Sequence, residues 1–573
     1  MHRLLCLLVF FAGAVPICDA RSQPAGQRFV SIAFHDVVDR PDELETDSVT
    51  ATSLAQFFDW LKGTGWTAVS LDDLAAAARG VRPLSDKAIL ISFDDGYASL
   101  YTRVFPLLKV YRYPIVSALV GSWMEGRPDG TVLYGDRTVP RSNFISWAQA
   151  REMQASGLVE FASHSYALHR GVLANPQGNM VPAAITWRYD PATGRYEDDA
   201  QYRARIRADL SRARGQMAAE LGRQPRALAW PFGRYSGPAL EVAKQLGFSF
   251  ALTLEPEPAY TSDLYAIDRY FPSRNPSLAD IARNLRFEPG RPTSRRIACL
   301  TLDALAAVGP GAAQDEALGR IIEGLRTLGT NTVVIDGNAA LASPGAKLSA
   351  VYFPTRLVAM RADLLSRATW QIRTRAGSDV FLRLPIEAAT AAVGKAGVPV
   401  LFADMMRQTA PDGITVDLPA LPSDTHIVAD QPSDIRARRA ALDVASLDGR
   451  TRLALAAYRA AAEIDRRQRL MLGLGDAVGP PDWADIGLMP ASRDVAATGA
   501  LAERLRAQGW LRPEVSGRVA FSLPADPARQ VEALRRAQRL GAAAFALCPE
   551  PPALPPAAAL SAAFSAATYP YRP

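Results

Sequence analysis

Short, almost wholly apolar runs recur along the first half of the chain, and between them apolar positions return every three or four residues. Residues 28–34, 88–93, 115–120, 158–162, 227–230 and 248–254 form the runs. Unbroken runs of that length predict strands covered on both faces. Residues 54–64 and 199–221 carry the helical period. Strand and helix in alternation predict a parallel α/β unit, here a distorted (β/α) barrel over residues 21–290.

Residues 288–294 read Glu-Pro-Gly-Arg-Pro-Thr-Ser, a turn-rich boundary. Beyond it the alternation restarts. Strands are predicted at 297–301, 332–335, 380–384, 399–402, 426–429, 470–474, 518–523 and 543–548, with helices such as 315–328, 362–374 and 525–540 between them. This pattern predicts a C-terminal (β/α)8 TIM-like barrel over residues 295–573. Cys299 and Cys548 fall on its first and last strands, which are neighbours in a closed ring. Two buried thiols, or a disulfide closing the ring, both fit that placement.

Composition narrows the class. At 573 residues, 49% apolar and 21% charged, the chain is a folded protein long enough for two large domains. The net charge of +6 is small and its arginines are scattered, so nucleic acid is not an expected partner. Met1-His2-Arg3, the apolar stretch 4–17 and Cys18-Asp19-Ala20 together predict a signal peptide over residues 1–20. Cys18 is an alternative lipidation site, although Pro16-Ile17 precede it where small residues are preferred. No later stretch is read as a membrane helix, so an exported protein, free or peripherally held, is expected.

The chain has five histidines: His2, His35, His164, His169 and His426. Three of them share the first unit with the adjacent acids of Phe93-Asp94-Asp95-Gly96. Two carboxylates that close repel unless a cation or a proton-transfer role uses them. His164 and His169 are five apart, a spacing that turns two rings away from each other on a helix but suits a loop wrapping an ion. With Asp95 they make two imidazoles and one carboxylate, a set that leaves open positions for water and substrate. Zn, Ni, Co and Fe all suit such donors. Asp94 is then placed as general base and His35, at another strand end, as proton donor.

Phe93-Asp94-Asp95-Gly96, the histidine pair and Trp230-Pro231-Phe232-Gly233 resemble the motifs of NodB-type polysaccharide deacetylases. Phe34-His35-Asp36, the spacing His164-x4-His169 and residues 173–179 followed by a Tyr-rich loop are more similar to one branch. That branch is the poly-β-1,6-N-acetyl-D-glucosamine (PNAG) N-deacetylases. The resemblance implies Asp94 as base, His35 as acid, and Asp95, His164 and His169 as ligands of one divalent metal. It implies a substrate or oxyanion role for Trp230, Phe232 and Gly233, and puts residues 173–179 on the substrate side. Acetate and a partly deacetylated polymer would be the products. A polysaccharide synthase and an export porin are the implied partners, in the periplasm or at the periplasmic face of the outer membrane. Deacetylation of peptidoglycan or a chitin-like glycan, or glycan binding without catalysis, are the competing expectations.

Residues 352–356, 360–364 and 370–377 resemble that family's second domain, a glycoside hydrolase-like barrel. Glycoside cleavage needs a placed pair of carboxylates. Only Asp417 remains near the family's acidic cluster, and Phe521-Ser522-Leu523 puts Ser522 where the family has Glu. A barrel without hydrolase activity is expected. A relocated acid at Asp404, Asp417, Asp424 or Asp430 is the alternative.

Overall fold

The computed structural model describes residues 26–135, 137–287, 294–418, 432–475, 479–548 and 558–565. The expected signal peptide with Cys18, the boundary at 288–293, and His426 with Asp424, Asp430 and the strand predicted at 426–429 lie outside them.

The first unit is a sheet in the order Phe250–Leu252, Ala227–Ala229, Val159–Ser163, Ile115–Leu119, Ala88–Phe93, Arg28–Phe34 and Ala259–Tyr260. All neighbours are parallel except the last pair. The central strands are buried on both faces, as their apolar composition requires. An irregular segment completes the ring. Ile267 bridges Leu252 and Tyr270 bridges Ile32, with Tyr270 N–H donating to Ser31 and Tyr270 carbonyl accepting from Ala33 N–H, both at 2.9 Å. This closure by a segment too irregular to be a strand is the distortion of the barrel, and Arg269 lies on it.

The second unit is a closed eight-stranded parallel barrel. Its strands are Arg296–Leu300, Thr332–Asp336, Asp379–Arg383, Gly413–Leu418, Arg469–Leu474, Ile486–Leu488, Val519–Ser522 and Ala544–Leu547. Two of these, Gly413–Leu418 and Ile486–Leu488, are not among the strands expected from the sequence. Residues 399–402 lie instead in the helix Ile386–Thr409, where Val398, Leu401, Phe402, Met405 and Met406 are buried at helical spacing. The helix breaks at Gly394, whose φ is 72°. That break sets Pro399 near the start of a new segment, where a missing N–H costs less than in a continuous helix. Counted through that break, its 24 residues pass the length and composition of a membrane-crossing segment, against the expectation that no such stretch follows the N-terminus. Its apolar face is spent in the barrel's core. Ala298 pairs with Leu547 in register, which sets Cys299 beside Cys548. Their Cα atoms are 5.1 Å apart and the sulfurs are bonded.

The two units share one apolar core, running from Trp230 and Tyr235 to the barrel helices. Residues 173–179, expected on the substrate side, meet the barrel. Asn175 Nδ2 donates to Ser366 Oγ at 3.1 Å and Gln177 Nε2 to the Asp363 carbonyl at 2.6 Å, so the insertion clasps the barrel.

Candidate active site

The strand Ala88–Phe93 ends in a turn where Asp95 and Gly96 both take positive φ, 73° and 72°. Asp tolerates that region; at Gly96 a Cβ would stand 2.6 Å from Leu119 Cδ2, so only glycine fits. The turn sends both carboxylates into the protein, where Asp94 and Asp95 are almost fully buried.

The next-but-one strand, Val159–Ser163, delivers the histidines. Asp209, on the helix Asp199–Leu221, accepts the amides of Tyr166 and Ala167 at 2.8 Å each and shapes the loop after His164. The His164 and His169 rings lie 5.0 Å apart. Each Nε2 is 3.4 Å from Asp95 Oδ1, and the three donor atoms lie within 4.8 Å of one another. His164 Nδ1 meets the Ala229 carbonyl at 2.8 Å. A carbonyl only accepts, so Nδ1 carries the proton and Nε2 keeps its lone pair for the shared centre. Burial depresses both imidazoles to about 4, with the nearby carboxylates opposing. The rings are therefore neutral at pH 7, and their approach to Asp95 is not an ion pair. Burial pushes the Asp95 carboxyl up, against the pull of His164 and His35. Its Oδ1 is buried without a hydrogen-bond partner among the described residues. Three converging lone pairs and an orphaned oxygen fit a divalent metal ion.

Asp94 is held differently. Burial favours its neutral form, but the Arg269 guanidinium overrides this and keeps the carboxyl far below the usual range. Arg269 donates from Nη1 and Nη2 to the two Asp94 oxygens at 2.8 Å, and from Nη1 to Ser92 Oγ at 2.9 Å. No sequence pattern singles out Arg269, because it sits on the irregular closing segment with no motif around it. His35 follows the strand Arg28–Phe34 and stands edge-on to Phe271, ring centres 4.9 Å apart. Its Nδ1 has no hydrogen-bond partner among the described residues.

Tyr97, Tyr134 and Asp47 are further members of the site that the sequence expectations lack. The two phenol oxygens lie 2.8 Å apart, each is 3.2 Å from Asp47 Oδ2, and Tyr134 Oη is 3.4 Å from Asp95 Oδ2. Tyr97 directly follows the Asp-Asp-Gly turn, the one signal that could have exposed it; Tyr134 and Asp47 had none.

The Trp230–Gly233 motif splits. Phe232 takes a positive φ of 58°, is 43% exposed, and packs 4.3 Å from the His169 ring. Trp230 is fully buried and stacked on Tyr235 at 5.2 Å, so its ring offers no face to a ligand. Gly233 serves the backbone: a Cβ there would come within 2.6 Å of Leu254 Cβ.

Residues 82–251 match the family model described as Polysaccharide deacetylase. A PNAG N-deacetylase of Escherichia coli K12 is 36% identical over 358 residues, covering 62% of this chain and 53% of that protein. The chain therefore carries a polysaccharide deacetylase domain. It spans about half the length of that curated relative. A PNAG N-deacetylase of Staphylococcus epidermidis is 25% identical over 236 residues, 41% of this chain and 71% of that protein. A solved de-N-acetylase from Aggregatibacter actinomycetemcomitans is 34% identical, covering 45% of this chain and all of that one, with a TM-score of 0.43. Residues 309–405 match a second family model, Hypothetical glycosyl hydrolase family 13.

In the barrel, Asp336 pairs with Arg383 at 2.6 Å. Asp417 stands near Arg383, its carboxyl raised by burial against that positive charge. Asp404 accepts from Thr355 at 2.7 Å and from Arg407 at 2.6 Å, a structural tie on the helix surface. Ser522 Oγ donates to the Met489 carbonyl at 2.6 Å and is buried.

Proposed function

We propose that the protein is a metal-dependent N-deacetylase of PNAG, releasing acetate from the polymer during its export. One observation carries this: Asp95, His164 and His169 converge on a single point beside a carboxylate, Asp94, that Arg269 holds ionised. A divalent ion held by those three residues would polarise the acetamide carbonyl and acidify a water. Asp94 takes the proton from the attacking water. The Phe232 turn, against His169, is the candidate backbone donor to the developing oxyanion. His35 protonates the amine nitrogen as the C–N bond breaks, leaving acetate and a glucosamine unit. The neutral rings of His164 and His169 keep the ligand set free of protons at neutral pH.

The PNAG substrate, rather than peptidoglycan or a chitin-like glycan, is supported by the curated relatives, which are named PNAG N-deacetylases. The Cys299–Cys548 disulfide supports an oxidising, exported compartment, where a synthase and an export porin would be its partners. The test is acetate release by the full chain, stripped of metal and reloaded with Zn, Ni or Co, on PNAG oligomers, chitin oligomers and peptidoglycan. Metal-dependent release confined to PNAG is expected. Equal release from all three would remove the substrate assignment, and release by the metal-free protein would remove the metal.

A further inference from the structure

The irregular segment that closes the first unit carries Arg269, and Thr253 holds that residue in place. The Thr253 carbonyl accepts from Arg269 Nε at 2.8 Å. Its hydroxyl donates to Asp268 Oδ1 at 2.6 Å, and its amide donates to the Ile267 carbonyl at 2.9 Å. Thr253, Ile267, Asp268 and Arg269 are all buried. The guanidinium that grips Asp94 is thus anchored at Nε by one backbone carbonyl, on a segment that lacks the continuous ladder of a strand.

The loop after Thr253 is tied to the second barrel by three ion pairs. Arg467 meets Glu255, Arg436 donates to Glu257 at 2.9 Å, and Arg466 meets Asp263. Arg436 lies on the helix Pro432–Ala440, and Arg466 and Arg467 form the turn before the strand Arg469–Leu474. Glu255 is two residues from Thr253, so the Arg467 tie bears almost directly on the carbonyl that anchors Arg269. Arg467 also lies 5.8 Å from the Tyr235 ring, which stacks on Trp230 beside the Phe232 turn. One barrel arginine therefore touches both flanks of the site.

Charge gives the middle pair particular weight. Burial and the Glu257 charge push the Asp268 carboxyl up to about 7, with Arg436 opposing. Without Arg436, Glu257 would be a buried carboxylate stranded against Asp268, the chain neighbour of Arg269, and the segment would have to move to relieve it. Another ion pair between the two units, Arg407 with Asp199 at 3.1 Å, runs through the helix Asp199–Leu221 and not through this segment. It joins the units without bearing on Arg269.

We propose that Arg436, Arg466 and Arg467 of the second barrel are positioning residues for deacetylation, bracing the closing segment where Arg269 keeps Asp94 oriented at the metal centre. The barrel then serves the chemical step itself. The proposal rests on the deacetylase function above. Its test is acetate release by the zinc-loaded full chain on short β-1,6-linked GlcNAc oligomers. Arg436→Met and, independently, Arg467→Met lower kcat by about tenfold or more, as displacement of a catalytic group does, with KM and bound zinc unchanged. Arg436→Lys, which keeps the charge, recovers most of the rate. Arg466→Met, at the most exposed of the three pairs, gives a smaller loss in the same direction and keeps the test decisive should the more buried substitutions not fold. Arg407→Met, which breaks the other pair, leaves kcat at the wild-type value. Hydrogen exchange locates the cause: the amides of Thr253, Ile267 and Tyr270 exchange faster in the Arg436 and Arg467 variants and not in Arg407→Met. Wild-type kcat in the folded Arg436, Arg466 and Arg467 variants, a loss carried by KM, or an equal loss in Arg407→Met overturns the brace and leaves the deacetylase standing. Absence of acetate from the wild type overturns the deacetylase function instead.

Discussion

Arg269 grips Asp94 through both guanidinium nitrogens at 2.8 Å, and neither side chain reaches solvent. The pair joins two parts of the barrel far apart in sequence, the Asp-Asp-Gly turn and the irregular segment that closes the ring. It fixes the orientation of the carboxylate and keeps it charged in a buried site.

Removing one partner of a buried pair costs more than the pair contributes, because the other charge is stranded. Arg269→Met should destabilise the protein by about 3–5 kcal/mol in denaturant unfolding. Asp94→Asn combined with Arg269→Met should recover much of that loss, since no charge is left stranded. The pH dependence has a definite sign. Asp94 has a folded pKa below its ordinary 3.8, so its stabilising contribution is complete above the ordinary value and is lost only as acid drives pH below it. In Arg269→Met that loss should move up in pH.

The ligand histidines set a second pH dependence. Each has a folded value of about 4 against an ordinary 6.5. Between those values the unfolded chain binds protons that the metal-free folded protein does not. Stability of the metal-free protein should therefore fall as pH drops from 6.5 to about 4, by about 1.4 kcal/mol per pH unit for each ring. Zinc affinity should stay nearly level from pH 8 to about 5 and then drop steeply as the rings protonate. Calorimetric titration across that range checks both.

The Cys299–Cys548 bond closes a loop of 249 residues on the barrel's first and last strands. Cys299→Ala with Cys548→Ala should lower barrel stability by about 2–5 kcal/mol. Acetate release at 25 °C should be unaffected, because both cysteines belong to the second barrel and the site residues to the first unit. Thermal unfolding with and without reductant, alongside an activity assay, reads both.

Asp417 offers a test of the barrel. Arg383 is committed to Asp336, and Ser522 is hydrogen-bonded to a backbone carbonyl where a carboxylate would be needed. The full chain should not shorten PNAG, and Asp417→Asn should leave acetate release unchanged. Product chain length measured by mass spectrometry is the readout; cleavage lost in Asp417→Asn would show a working hydrolase.

The parts of the site carried at strand ends were legible in the sequence. Long apolar runs before Asp94 and His164 mark strands, and the residues just past such a strand in a parallel barrel face the functional end. Arg269 was not legible, because its segment has no strand pattern and joins the ring only through isolated bridges at Ile267 and Tyr270. Residues 399–402 misled because a short apolar run does not distinguish a strand from one face of a buried helix. Gly413–Leu418 was passed over because it opens on glycine and carries Asp417. Trp230 was read as a ligand wall from its motif, whereas its stacking on Tyr235 depends on the whole core. The choice between thiols and a disulfide turned on register, which no residue pattern states.

The central claim is that Asp94 is the base at a metal centre built from Asp95, His164 and His169. The most direct measurement is acetate release from PNAG oligomers by Asp94→Asn, with bound zinc quantified in the same sample. Loss of release by a factor of about 10² to 10⁴, with zinc retained and the fold intact, is the predicted result. Release at the wild-type rate from zinc-loaded Asp94→Asn would contradict it.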